Sequence, residues 1–210
     1  MDADVHTFTM PRALGQIDVR KHEAILDAAV EVLAERGVHA PIEEVARRAG
    51  VSKQTIYNHY GSKTELVRTL VERRRSRITT PLDQAEPGDR VEDTLASYAE
   101  AILDLILSPN SIHLLRMGVT SATEMPDLAR IIYDAGTRAA RLRLAEFLAH
   151  APVAEILVED PAQAADIFVG IVAAGVQIRL LLGLEAEIKP ENVHAHAREC
   201  ARRFVKAYAP

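Results

Sequence analysis

An all-α fold is what this sequence predicts, and three observations carry the prediction. Apolar residues recur at intervals of three and four along most of the chain, and strict period-two alternation occurs nowhere. The 210 residues are 48% hydrophobic but only 4% aromatic, without Trp, a composition rich in Ala and Leu that suits close-packed helices. Two prolines and a glycine, Pro81, Pro87 and Gly88, interrupt the helical pattern at one clear boundary. At this length the chain can hold one or two domains and bury a sizeable core. Internal repeats and low-complexity tracts are absent from the sequence.

The chain starts with MDADVHTFTM, which is acidic and has no apolar stretch, so residues 1–17 read as a disordered arm and not as a secretory signal. The first helix is expected from Asp18 to Arg36, with Ile25, Ala29, Val32 and Leu33 on its core face and Gly37 at its end. Arg12, Arg20 and Lys21 lie before or within its first turns, where they either touch backbone phosphates or remain solvated. Ile42, Val45, Ala46 and Ala49 then give one narrow apolar face from Pro41 to Ala49. Glu43 and Glu44 sit at the favourable end of that helix's dipole. Gly50 supplies the turn, and Ser52 caps a short helix from Lys53 to His59. Next, Ser62-Lys63-Thr64-Glu65 has the form of a capping box and starts a fourth helix.

Two short helices joined by a glycine turn, the second one polar, form a helix-turn-helix, whose second helix enters the DNA major groove. Lys53 and Gln54 are the expected base readers, because Lys pairs with guanine acceptors and Gln bonds adenine bidentately. Thr55, Tyr57, His59 and Lys63 are expected to hold phosphates, which fix register, and Asn58 suits either role. Val51, Ile56 and Tyr60 have the spacing of core anchors, and Tyr57 is an alternative fourth. Lys63 and the amides of its helical turn offer an anion site.

The segment AGVSKQTIYNHYGSKTEL resembles the DNA-binding signature of the TetR/AcrR family of bacterial transcriptional regulators. Ala49–Ser52, Thr55–Tyr60 and Ser62–Leu66 carry the match, within some 55 residues from roughly Arg20 to Arg74. The resemblance implies a DNA-binding domain at 18–80, a helical effector-binding and dimerisation domain at 81–210, and a homodimer on palindromic operator DNA. Two departures stand out. Ala40–Pro41 replaces the threonine pair that opens the helix before the turn in many members, and Gln54 replaces a small residue.

Net charge is −5, yet its distribution favours DNA. Residues 41–77 hold nine Lys/Arg and four Asp/Glu, a balance of +5, whereas residues 81–210 hold 12 and 19, a balance of −7. Positive charge is thus concentrated where phosphates are met. The run Arg73-Arg74-Arg75-Ser76-Arg77 reads as a solvated face with a diffuse electrostatic role.

Pro81, Pro87 and Gly88 mark a domain boundary, and five helices are expected beyond it. Val91, Leu95, Tyr98, Ile102 and Ile106 trace the first, ending near Ser108-Pro109. The others are expected over 111–120, from Met125-Pro126 to about His150, from Asp160-Pro161 unbroken to Gly183-Leu184, and over 192–208. MPDLARIIYDAG and EDPAQAADIFVGIVAAG are more loosely similar to the C-terminal domain of the AefR-like subset of the family. The family resemblance places a dimer interface on the last two long helices, at Phe168, Ile171, Val172, Gly175, Val176, Leu180 and Phe204. It also implies a sensing pocket among the helices of 91–150. Candidates for its lining are Tyr98, Ile102, His113, Leu114, Arg116, Met117, Met125, Ile132, Tyr133 and Phe147, with ordinary core the favoured reading for any single one and a solvent-facing position the alternative for His113 and Arg116. His113 and Arg116 are the polar candidates for an anionic or hydroxylated ligand.

Other chemistries find little support. His196 and Cys200 are four apart, a spacing that can hold a soft metal, but two ligands fit an interface helix better than a metal site. Glycine-rich phosphate loops, nucleophile elbows and paired carboxylates are lacking, so neither enzyme nor cofactor is implied. A single cysteine fits a reducing cytoplasm. The run from Ile167 to Leu184 is interrupted by Gln177 and Arg179 and reads as a buried helix, not a membrane span. Function is expected to be repression relieved by a small hydrophobic or amphipathic effector, in efflux or toxicant response. An effector-independent nucleoid-associated division regulator of the same fold is the alternative, and activation through polymerase contact is a third.

Overall fold

The computed structural model describes residues 19–173 and 175–210. The expected arm at 1–17, with Arg12, lies outside the described residues, as does Asp18. Among the described residues every regular element is helical. The order is α1 (Val19–Arg36), α2 (Ile42–Arg48), α3 (Lys53–Tyr60), α4 (Lys63–Asp83), α5 (Val91–Leu107), α6 (Pro109–Ser121) and α7 (Pro126–Ile132). A π-helical turn (Tyr133–Arg138) follows, then α8 (Ala139–Ala149), α9 (Pro161–Ala173), α10 (Val176–Leu181) and α11 (Val193–Ala207).

Local chemistry fixes the helix-turn-helix. The Ser52 Oγ accepts a hydrogen bond from the Thr55 amide at 3.0 Å, the N-cap that α3 needs. Gly50 turns the chain at φ +66°, a left-handed conformation that a Cβ disfavours. The Ser62 Oγ accepts from the Glu65 amide at 3.1 Å and so caps α4. The reciprocal half of the expected box is replaced: the Glu65 carboxylate accepts from Arg68 at 3.2 Å.

The apolar side chains divide into two cores, and the division does not follow the boundary near residue 80. One core joins α5, α8, α9 and α11 around Tyr98, Leu103, Leu144, Phe168 and Phe204, each at most 1% exposed. The other joins α1 to α4, but it also takes in Leu114 and Met117 of α6, Leu128 and Ile132 of α7, and Ala135 of the π-turn. The reading domain therefore shares its core with three elements from the second half of the chain.

Two helix limits differ from expectation. α4 runs through Pro81 to Asp83 instead of stopping at the proline. Pro81 lies in the last turn, where it removes only the donor to the Arg77 carbonyl, and Arg143 closes that end by donating to the Leu82 carbonyl and pairing with Asp83 at 2.6 Å. The helix expected to run unbroken from 160 to 184 ends at Ala173 and restarts as α10 after Gly175, which is left-handed at φ +81°. Arg116 of α6 then donates to the carbonyls of Leu180 (2.8 Å) and Leu181 (3.3 Å), closing the end of α10.

Candidate functional site

α3 divides cleanly into an inner and an outer face. Ile56 and Tyr60 are buried against the reading-domain core, as their spacing predicts, with Val51 packed beside them. Lys53, Gln54, Tyr57 and Asn58 are exposed on the opposite side and form the part of the helix that a major groove can reach. Tyr57 is thus outward and not the core alternative. The Gln54 amide donates to the Asn58 Oδ1 at 2.6 Å, one turn away, so the two present a joined polar edge. The Lys53 ammonium pairs with the Glu43 carboxylate of α2, which holds Glu43 below its usual range, and it lies 5.7 Å from the Tyr57 ring.

The remaining expected phosphate ligands are placed otherwise. Thr55 is half-buried, with its hydroxyl 2.8 Å from the Ser52 Oγ. His59 turns inward: its Nε2 is 3.3 Å from the His22 Nδ1, which also lies 3.0 Å from the Tyr60 hydroxyl. Burial raises the Tyr60 phenol to about 12, so it stays protonated at neutral pH. Lys63 is the clearest departure. Its ammonium donates to the backbone carbonyls of Val38 and Ala40, so it ties the α1–α2 connection to α4 and does not project towards a phosphate. Nearby, Arg48 of α2 donates to Glu35 at 2.7 and 2.8 Å, locking α2 to α1.

Six of the expected sensing residues serve other ends. Tyr98 is fully buried, its hydroxyl donating to the Ala140 carbonyl at 3.2 Å, and it is core. Arg116 closes α10, as described above. Met125 and Tyr133 are 37% and 51% exposed, because the α6–α7 connection and the π-turn carry them to the surface. Ile102 belongs to the α5–α11 core and Met117 to the reading-domain core. Phe147 packs at the rim of the first core beside a surface depression that Leu82 and His150 share. His113 is partly buried, and its Nδ1 has no hydrogen-bond partner.

The apolar cavity lies elsewhere, between α4, α5, α6 and the π-turn. It has a volume of about 120 Å³, and Val71, Ile106, Ile112, Leu114 and Ile132 form its apolar walls. Leu114 and Ile132 were foreseen there. Missed were Arg74, Arg75, Ser111, Thr137 and Gln177, the polar groups of its lining. Nor is the basic run of α4 a solvated face. The Arg73 side chain is only 15% exposed and pairs with Glu23 at 2.7 Å and Asp27 at 2.9 Å. Arg74 donates to the Ser111 Oγ at 2.9 Å. A five-residue basic run inside an amphipathic helix cannot lie wholly on one face, and that was the signal available in the sequence.

The expected interface residues are largely internal. Phe168, Val172, Val176 and Phe204 are at most 3% exposed within the single chain, so none of them can meet a second copy. Ile171 and Leu180 are half-buried, and Gly175 is exposed. The apolar residues that do face outward are Ile167 (42%), Ile178 (60%), Leu182 (72%) and Leu184 (51%). The reason is register: the core face of α9 is 164, 165, 168 and 172, which turns 167 and 171 to the side or outward. In α11 the His196 Nε2 lies 3.4 Å from the Cys200 Sγ, and burial raises the thiol above its usual range. Among the described residues no three His, Cys, Asp or Glu side chains gather as a metal site requires, and no helix is long and apolar enough to cross a membrane.

Comparison with known proteins agrees with this geometry. Residues 25–70 match the family model described as bacterial regulatory proteins, tetR family. Residues 93–210 match that of the AefR-like transcriptional repressor, C-terminal domain. An HTH-type transcriptional repressor of Mycobacterium tuberculosis is 30% identical over 127 residues, 60% of this chain and 67% of that one. The HTH-type transcriptional activator FasR of Mycolicibacterium smegmatis is 42% identical over 84 residues, 39% of this chain and 38% of that one. Among solved structures, a TetR-family regulator from Mesorhizobium loti has a TM-score of 0.72 at 24% identity, over 91% of this chain and 98% of that one. The flavonoid-responsive regulator FrrA has a TM-score of 0.69 at 27% identity, over 92% and 99%. An exposed polar reading helix on a buried anchor, with both halves of the chain matched, makes this chain a member of the TetR family of DNA-binding transcriptional regulators, its C-terminal half of the AefR-like repressor type.

Proposed function

We propose that this protein is a homodimeric repressor, released from a palindromic operator when a small molecule binds its second domain. The observation that carries this reading is the shared core. Leu114, Met117, Leu128, Ile132 and Ala135 pack into the reading domain, so a ligand that shifts α6, α7 or the π-turn also shifts the heads. Each head presents Lys53, Gln54, Tyr57 and Asn58 to a major groove, and two heads engage together only at one spacing. A ligand that binds better to a conformation of different spacing lowers operator affinity by its differential affinity, typically about 1–3 kcal/mol of coupling. The match of residues 93–210 to a repressor domain favours repression over the activation named for one relative. That FrrA is called flavonoid-responsive supports ligand control in a protein of this shape.

The test is capture of sheared chromosomal DNA of the source bacterium by the purified protein at physiological salt, followed by sequencing. A few sharp palindromic peaks support a local repressor, and the adjoining genes nominate effectors. Broad binding at many sites overturns this reading in favour of a nucleoid-organising protein of the same fold.

A further inference from the structure

The basic run of α4 places one arginine where a solvated role does not apply. Arg74 lines the apolar cavity and also the wall of an adjoining polar cleft of about 550 Å³. Arg73 beside it is matched by Glu23 and Asp27, but among the described residues no carboxylate lies within 4 Å of the Arg74 guanidinium. One neutral hydroxyl, Ser111, is its hydrogen-bond partner. A guanidinium withdrawn from water without a counter-charge is costly, and an anion that reaches it recovers that cost. Burial, with Arg73 and Arg77 nearby, pulls Arg74 down to about 10, and it remains charged at neutral pH. The acidic side chains of the neighbourhood, Asp27, Glu31 and Asp104, face the polar cleft and are absent from the cavity lining.

We propose that this cavity is the effector site and that its ligand is a compact monocarboxylate of about the size of benzoate, whose carboxylate pairs with Arg74. The inference rests on the ligand-released reading above. Size follows from volume: about 120 Å³ is close to the ~150 Å³ cavity that takes up benzene, and too small for a long acyl chain. The apolar body lies among Val71, Ile106, Ile112 and Leu114, while Arg74 meets the carboxylate at the mouth by the paired N–H···O bonds that a guanidinium offers. Arg75, Thr137 and Gln177, also in the lining, supply further polar contacts. The site acts on the reading head by the shortest route, because α4 carries Arg74 and starts one turn after α3 ends. A ligand between α4 and α6 changes how α4 sits on the elements that share the reading-domain core.

Calorimetry and thermal-shift measurements on the full chain test this, with benzoate, phenylacetate and hexanoate set against benzamide, phenylacetamide and hexanamide. At least one acid is expected to bind about tenfold or more tightly than its amide, the size of a charge-assisted hydrogen-bonded pair. Arg74→Met keeps the apolar stem and is expected to abolish that preference, and Arg74→Lys to keep part of it. Ile112→Trp fills the cavity and is expected to block acids and amides alike with Arg74 intact, which separates occupancy from folding. Acids that fail to bind, that bind no better than their amides, or that keep their preference in Arg74→Met overturn the proposal. Operator release by the amides alone leaves ligand control standing and removes the carboxylate. Indiscriminate chromosomal binding in the capture experiment instead removes the repressor reading beneath it.

Discussion

The Glu43 carboxylate holds the Lys53 ammonium in the free protein, and DNA must displace it before Lys53 can reach a base or a phosphate. Glu43 itself brings a negative charge close to the phosphates. Glu43→Gln is therefore expected to tighten operator binding about two- to fivefold at low salt, with the gain fading as salt screens it. Electrophoretic mobility shifts across a salt series measure this, and unchanged or weaker binding would show that the pair orients Lys53 for reading. Lys63 leads to the opposite expectation. Its ammonium is engaged with the carbonyls of Val38 and Ala40, so Lys63→Met should lower stability to urea by about 1 kcal/mol and leave the salt dependence of DNA binding unchanged. A flattened salt slope would return Lys63 to the phosphates. The contrast shows which residues were legible in the sequence. Helical period alone separated the buried Ile56 and Tyr60 from the exposed Gln54 and Asn58. Nothing local could show that Lys63 and His59 turn back onto segments more than 20 residues away.

At the scale of elements, caps and breakers were readable because each acts within a few residues. Ser52 and Ser62 start their helices, and Gly37 and Gly50 end theirs. What the sequence could not show was how α4 meets the π-turn, a contact between residues some 65 apart. A Cβ placed on Gly136 would stand 3.0 Å from the Val71 Cγ1, so the π-turn is seated against α4 at the limit of close packing. Gly136→Ala is expected to cost about 1 kcal/mol of stability and to alter operator affinity, because the added methyl pushes on the helix that carries the heads. Val71→Ala makes room for that methyl, and in a double-mutant cycle by urea denaturation the two substitutions should compensate. Simple additivity would mean that the strain is relieved elsewhere and that the π-turn is not coupled to α4. The same tertiary cause hid Arg74. Its role depends on Ser111 and the cavity walls, and the sequence offered only a basic run of ambiguous face.

For the whole molecule, the question is which surface would meet the second copy of the proposed dimer. The family resemblance pointed to the last two long helices, but the residues named there lie mostly on the inner side, since composition cannot tell a buried apolar helix face from an exposed one. Phe168, Val172 and Phe204 are spent on the protomer's own core. α11 turns Arg198, Arg202, Arg203 and Lys206 outward, a face unsuited to close apolar contact. By contrast, Ile167 on α9 and, after the break at Gly175, Ile178 on α10 and Leu182 just beyond it are apolar and exposed, with Ile171 half-buried beside them in sequence. Large apolar side chains exposed on neighbouring helices are what an association surface requires. If these residues form the dimer seam, Ile178→Glu with Leu182→Glu should yield a folded monomer by sedimentation, with thermal stability close to that of the parent. Its affinity for a full palindrome should fall about a hundredfold or more, because two linked heads bind far better than one. Phe168→Ala should behave differently, losing about 3–5 kcal/mol of stability through a core cavity. A dimer that survives both glutamates would move the seam to another face, and with it the spacing of the heads that any effector must change.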